Sequence, residues 1–176
     1  EVIERPSSIV KELVENAIDA GSNAVTVEIK DGGTTLVRIT DNGEGIAPSE
    51  VKKAFMRHAT SKIQNAFDLE AIGTLGFRGE ALAAIAAVAR VELMTRTADR
   101  KFGTGLTLEG GKVVEREVVG CPEGTTMIVR NLFYNTPARL KFMKRDVAEG
   151  AAVYAVVQHV ALSHPEVSFR FVREGK

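Results

Sequence analysis

The chain has 176 residues, 44% hydrophobic and 26% charged, enough to bury a core as one α+β domain. Its 23 basic and 23 acidic residues cancel, so no overall charge draws it to nucleic acid or a membrane surface. The single Cys121 excludes an intrachain disulfide, and neither a membrane-spanning run nor a signal-peptide pattern occurs, so a cytoplasmic protein is expected.

The first predicted element is a helix ending at Gly21, with Pro6 in its first turn and Ser7 or Ser8 as caps. Leu13, Val14, Ala17 and Ile18 recur at the spacing that gives a helix one apolar face. Glu12 and Asn16 lie four residues apart and so share another face. They are either its solvated side or a functional pair. A carboxylate there polarises a water, and a carboxamide oxygen is a neutral hard ligand for Mg²⁺.

Ala24 to Lys30 and Thr35 to Thr40 alternate as half-buried strands around an Asp31-Gly32-Gly33 turn and are predicted to form a hairpin. The second strand runs into Asp41-Asn42-Gly43-Glu44-Gly45-Ile46. This is either a plain turn or a recognition site for a flat polar ligand. In the second case the acid accepts from an exocyclic amine, and the glycines let backbone approach the ligand. Pro48 to Phe55 reads as a helix.

Arg57 to Lys62 is polar, cationic and hydroxyl-bearing, as suits either a solvated loop or one that touches phosphates. Gly73 to Leu82 places three glycines before a small-residue helix over Ala81 to Ala89. It is either a flexible connection or a phosphate-binding lid, and it matches neither the P-loop nor the dinucleotide fingerprint. Val91 to Thr97, Gly103 to Glu109, Lys112 to Val119 and Thr125 to Arg130 alternate as further strands of one largely antiparallel sheet, with Gly110-Gly111 as a hairpin turn. Thr125 and Thr126 open the last of these. Lys141, Lys144 and Arg145 form either a basic patch or a solvated helix face, and the second is expected. A helix over Ala148 to Ser163 and a strand over Val167 to Val172 complete the pattern.

Four separated motifs thus stand in one order: E-L-V-E-N at 12–16, D-N-G-E-G-I at 41–46, L-G-F-R-G-E-A-L at 75–82 and G-T-T at 124–126. Together they resemble the GHKL ATPase superfamily. E-V-I-E-R-P at 1–6, D-A-G at 19–21, R-H-A-T-S-K at 57–62 and L-F-Y-N-T-P-A-R at 132–139 narrow the resemblance to its MutL family of DNA mismatch-repair ATPases. The resemblance covers nearly the whole chain.

It implies a Bergerat fold, a two-layer α/β sandwich whose mixed, mostly antiparallel sheet carries helices on one face. ATP is expected between the helices and a lid. On this resemblance Glu12 is the general base for water, and Asn16 binds Mg²⁺ beside the nucleotide. Asp41 reads the adenine amine, while Gly43, Gly45 and Ile46 shape the base pocket. Thr60, Ser61 and Lys62 lie along the nucleotide loop. Leu75, Gly76, Phe77, Arg78, Gly79, Glu80, Ala81 and Leu82 belong to the lid motif, whose backbone amides wrap the triphosphate. Thr125 or Thr126 closes the base pocket.

Residues 1–176 are then an N-terminal ATPase domain. An N-terminal arm and a second domain supplying a lysine to the γ-phosphate are expected outside it, so hydrolysis by these residues alone is expected to be weak. The expected partners are a second copy on ATP binding, a mismatch-recognition protein, other repair proteins, and DNA through the intact protein, with no membrane. Phosphotransfer of the histidine-kinase type shares the pocket but not the water-activating glutamate.

Overall fold

The computed structural model describes residues 3–56 and 79–176. Helix α1 (Pro6–Asp19) has proline at its first position and buries Ile9, Val10, Leu13, Val14 and Ala17 along one stripe. Burying five such side chains contributes on the order of 10 kcal/mol before entropy is counted. Gly21, at φ +81°, ends the helix by donating its N–H to the Ile18 carbonyl.

β1 (Ala24–Lys30) and β2 (Leu36–Asp41) pair antiparallel around a 3₁₀ turn at Asp31–Gly33. Past β2 come a single helical turn, α2 (Pro48–Val51), and a 3₁₀ turn at Lys53–Phe55. The helix expected over Pro48 to Phe55 is therefore broken into two short pieces. α3 (Gly79–Ala87) precedes β3 (Arg90–Arg96), β4 (Gly103–Glu109), β5 (Lys112–Val119) and β6 (Gly124–Arg130). The short α4 (Pro137–Lys141), the long α5 (Asp146–Ser163) and β7 (Ser168–Arg173) follow. Only Lys141 of the three cations expected on a helix face is helical; Lys144 and Arg145 lie in the link to α5, exposed to solvent.

The seven strands run in the order β5-β4-β3-β6-β2-β1-β7. Every neighbouring pair is antiparallel except β1 and β7, which are parallel. The crossover that a parallel pair requires includes α5. Alternation puts Val25, Val27, Ile29, Val37, Ile39, Val91, Leu93, Met127 and Val129 on one face. They form a continuous core there with α1, α3 and α5. The opposite face presents Thr26, Glu28, Arg38, Thr40, Met94 and Thr126. This is the expected sandwich with helices on one face. Among the described residues no helix is long and apolar enough to cross a membrane.

One buried carboxylate ties the ends of the fold together. Glu149, 2% exposed, accepts from Arg5 Nη1 at 2.5 Å and from the Lys144 N–H at 2.7 Å. It thereby holds the residue before α1 against the first turn of α5. The Arg5 side chain is 37% exposed and can turn to water, so Glu149→Ala loses mainly the two hydrogen bonds and the packing of the buried side chain, and is expected to cost about 2 kcal/mol in urea unfolding. A loss close to that of a surface substitution would show that the contact has no stabilising role.

Candidate functional site

The helices and the sheet part at one end of the core to leave a cleft of about 80 Å³, lined on several sides by side chains of α1, α3 and the sheet. Leu13 and Asn16 of α1, with Ala20 just past its end, form one wall and Leu82 of α3 another; Ala54 also lines it. Ile39 and Asp41 of β2 and Thr125 and Met127 of β6 supply the sheet side, and Glu44, Gly45 and Ile46 line the mouth. Glu12 stands one helical turn from Asn16, half-buried.

Sheet register explains the polar end of the cleft. Asp41 faces Thr125 across the β2·β6 pair, and Thr125 faces Thr95 across β6·β3. The same row that is apolar further along the strands here carries a carboxylate and two hydroxyls. Asp41 Oδ1 accepts from the Gly43 N–H at 2.8 Å and the Thr125 N–H at 3.3 Å. Both of these bonds fall on Oδ1, and among the described residues no hydrogen bond of good geometry reaches Oδ2. Burial raises the carboxyl above its ordinary range, opposed by the Gly43 N–H, the neighbouring Ser22 hydroxyl and the Thr125 N–H. The Ser22 hydroxyl itself makes no hydrogen bond of good geometry among the described residues.

The loop after β2 is pinned at three points. Gly43 bonds Asp41, the Glu44 N–H donates to the Ala20 carbonyl at 2.9 Å, and the Ile46 N–H donates to Thr95 Oγ1 at 2.9 Å. This packing by itself requires glycine at both positions. A Cβ on Gly43 would lie 2.8 Å from the Ala20 carbonyl oxygen. On Gly45, at φ +73°, it would lie 2.1 Å from that of Arg96. Asn42 turns outward, where its Oδ1 accepts the Asn23 and Ala24 N–H groups.

The structure thus brings Asn16, Asp41, Gly45, Ile46, Leu82 and Thr125 to one cleft, with Gly43 bracing it from behind. Thr126 is corrected: adjacent strand residues point to opposite faces, and Thr126 lies on the sheet surface away from the helices. Gly79, Glu80 and Ala81 open α3, and of residues 79–82 only Leu82 lines the cleft. Thr60, Ser61, Lys62, Leu75, Gly76, Phe77 and Arg78 lie outside the described residues. Thr95, wholly buried, went unnoticed in the sequence. Its signal was there, since it continues the inward series Val91, Leu93 with a hydroxyl. Among the described residues no group of three or more His, Cys, Asp or Glu side chains is placed to hold a metal ion. A hard cation here would rely on Asn16 and on oxygens brought by a ligand.

The profile of the histidine kinase-, DNA gyrase B- and HSP90-like ATPases matches residues 4–123. All 176 residues align at 57% identity with the DNA mismatch repair protein MutL of Agathobacter rectalis, and the chain spans 27% of that protein's length. Among solved structures, the Aquifex aeolicus MutL ATPase domain complexed with ADP superposes with a TM-score of 0.81 at 36% identity, over 99% of this chain and 62% of that one. The 43K ATPase domain of Thermus thermophilus gyrase B, 18% identical, shares the fold with a TM-score of 0.65, over 96% of this chain and 44% of that one. The chain belongs to the histidine kinase-, DNA gyrase B- and HSP90-like ATPase family, on its MutL branch.

Proposed function

We propose that residues 1–176 form the N-terminal ATPase domain of a DNA mismatch-repair protein, binding ATP in the cleft between α1, α3 and the sheet. The observation that carries this is Asp41. It is a half-buried carboxylate with one oxygen occupied by two backbone N–H groups and the other left to accept an amine, at the closed end of a cleft whose wall carries Asn16. The Aquifex aeolicus relative holding ADP supports the same reading.

In this reading the adenine amine donates to Asp41, and Thr125 closes the base pocket. The triphosphate extends along α1 past Asn16 toward Glu12. Glu12 takes the proton of the attacking water, which general-base catalysis requires to lie within hydrogen-bond reach. Mg²⁺, when bound by Asn16 and the phosphates, neutralises charge on the transferring group. Thr60, Ser61 and Lys62 line the nucleotide, and residues 75–82 act as a lid. Lid closure promotes pairing with a second copy, and the intact cytoplasmic protein uses that switch to time its contacts with DNA, a mismatch-recognition protein and other repair proteins.

Glu12→Ala is expected to lower ATP turnover by on the order of 1,000-fold, with nucleotide affinity held within about threefold. Single-turnover phosphate release and fluorescence titration measure the two separately. Equal loss in both would remove Glu12 from the role of base.

A further inference from the structure

We propose that Thr95 is a positioning residue that sets the hydrogen-bond polarity of the cleft's inner wall, and through it the preference for a purine bearing an exocyclic amine. The proposal rests on the nucleotide reading above. Thr95 Oγ1 has three partners. The Ile46 N–H at 2.9 Å can only donate to it, and the Gly124 carbonyl at 3.1 Å can only accept from it. The third, Thr125 Oγ1 at 2.8 Å, can do either.

A threonine hydroxyl has one proton. If Thr95 gave it to Thr125, the Gly124 carbonyl oxygen would face a bare lone pair at 3.1 Å. All three contacts are satisfied only when Thr95 donates to Gly124 and Thr125 donates to Thr95. The Thr125 proton is then committed inward, and only its lone pairs face the cleft. Asp41 offers its second oxygen beside it, so the wall carries acceptors alone. An amine with two N–H groups matches such a wall, whereas a carbonyl oxygen in its place meets repulsion. The buried Thr95, which touches no ligand, therefore decides what the ligand must offer.

The test compares ADP with IDP, whose base carries an oxygen where adenine carries the amine, by calorimetric titration of the whole chain. Wild type is expected to prefer ADP by on the order of 100-fold. Thr95→Ser restores the same bonding pattern and is expected to keep both affinities within about twofold. Thr95→Val frees the Thr125 proton to turn into the cleft and is expected to narrow the preference about tenfold. Thr125→Val, which removes the facing lone pairs, is expected to narrow it similarly and serves if Thr95→Val does not fold. A preference unchanged in Thr125→Val, losses in Thr95→Val that are equal for the two diphosphates, or failure of serine to rescue would overturn the proposal while leaving the nucleotide reading intact. Wild type binding neither diphosphate would overturn both.

Discussion

Asp41→Asn is expected to weaken adenine nucleotide binding by on the order of 100-fold without loosening the fold. The reason lies in how the carboxylate is held. Oδ1 accepts the Gly43 and Thr125 N–H groups, so the carbonyl oxygen of an asparagine is captured there and its amide NH₂ is turned toward the ligand. Donor then faces donor where acceptor faced donor. Stability should move the other way. Burial raises the Asp41 pKa above its value in the unfolded chain, so ionising the carboxylate costs the folded state stability; the cost is complete above the raised value and shrinks to nothing as pH falls to the ordinary carboxylate value. The neutral asparagine escapes this cost. Thermal unfolding without ligand should therefore find Asp41→Asn at least as stable as wild type at neutral pH, with the advantage shrinking on acidification. A variant that binds ADP normally would show that Asp41 does not read the base.

The second large effect is expected at Gly45. Its φ of +73° strains any residue with a side chain, and its Cβ would lie 2.1 Å from the Arg96 carbonyl oxygen, a backbone atom in β3 that has no rotamer to escape through. Adding strain at positive φ to overpacking against fixed backbone, Gly45→Ala should lose about 3 kcal/mol. Gly21→Ala is the control, since Gly21 has φ +81° but nothing within 4 Å of the added carbon. It should lose about 1 kcal/mol, from backbone strain alone. Urea denaturation of the two, side by side, separates the contributions. Equal losses would mean that the 41–46 loop moves aside at no cost, and that its three anchoring hydrogen bonds do not fix the mouth of the cleft.

Most of the fold was legible because alternation and helical spacing follow directly from burial. Val25, Val27 and Ile29 named the inward face of β1, and the stripe through Leu13 and Ala17 named that of α1. Helix boundaries were less legible where packing overrides local preference. α3 already includes Gly79, ahead of the apolar run that marks it, and Pro48 to Phe55 splits after one turn. In the site, Glu12, Asn16 and Asp41 stood out by chemistry and order. The choice between Thr125 and Thr126 needed the strand's register, which sequence alone leaves one residue uncertain. The glycines of the 41–46 loop were rightly singled out, but the obstacles they avoid, Ala20 and Arg96, are distant in sequence and emerge only from the packing. Thr95 was missed for a related reason. A hydroxyl in a strand is ordinary until its partners on two other segments are known.

The Arg5–Glu149 clasp joins groups 144 positions apart, and β7 completes the sheet beside β1. A ribosome making this chain therefore delivers the helix bearing Glu12 and Asn16 well before the helix that steadies it. Until α5 emerges, the α1 stripe has lost part of its cover and is open to holdase chaperones or to wrong partners. The loop-closing entropy of that long interval must be overcome before the clasp forms, so the nucleotide cleft should mature in one cooperative step that waits for α5 to emerge.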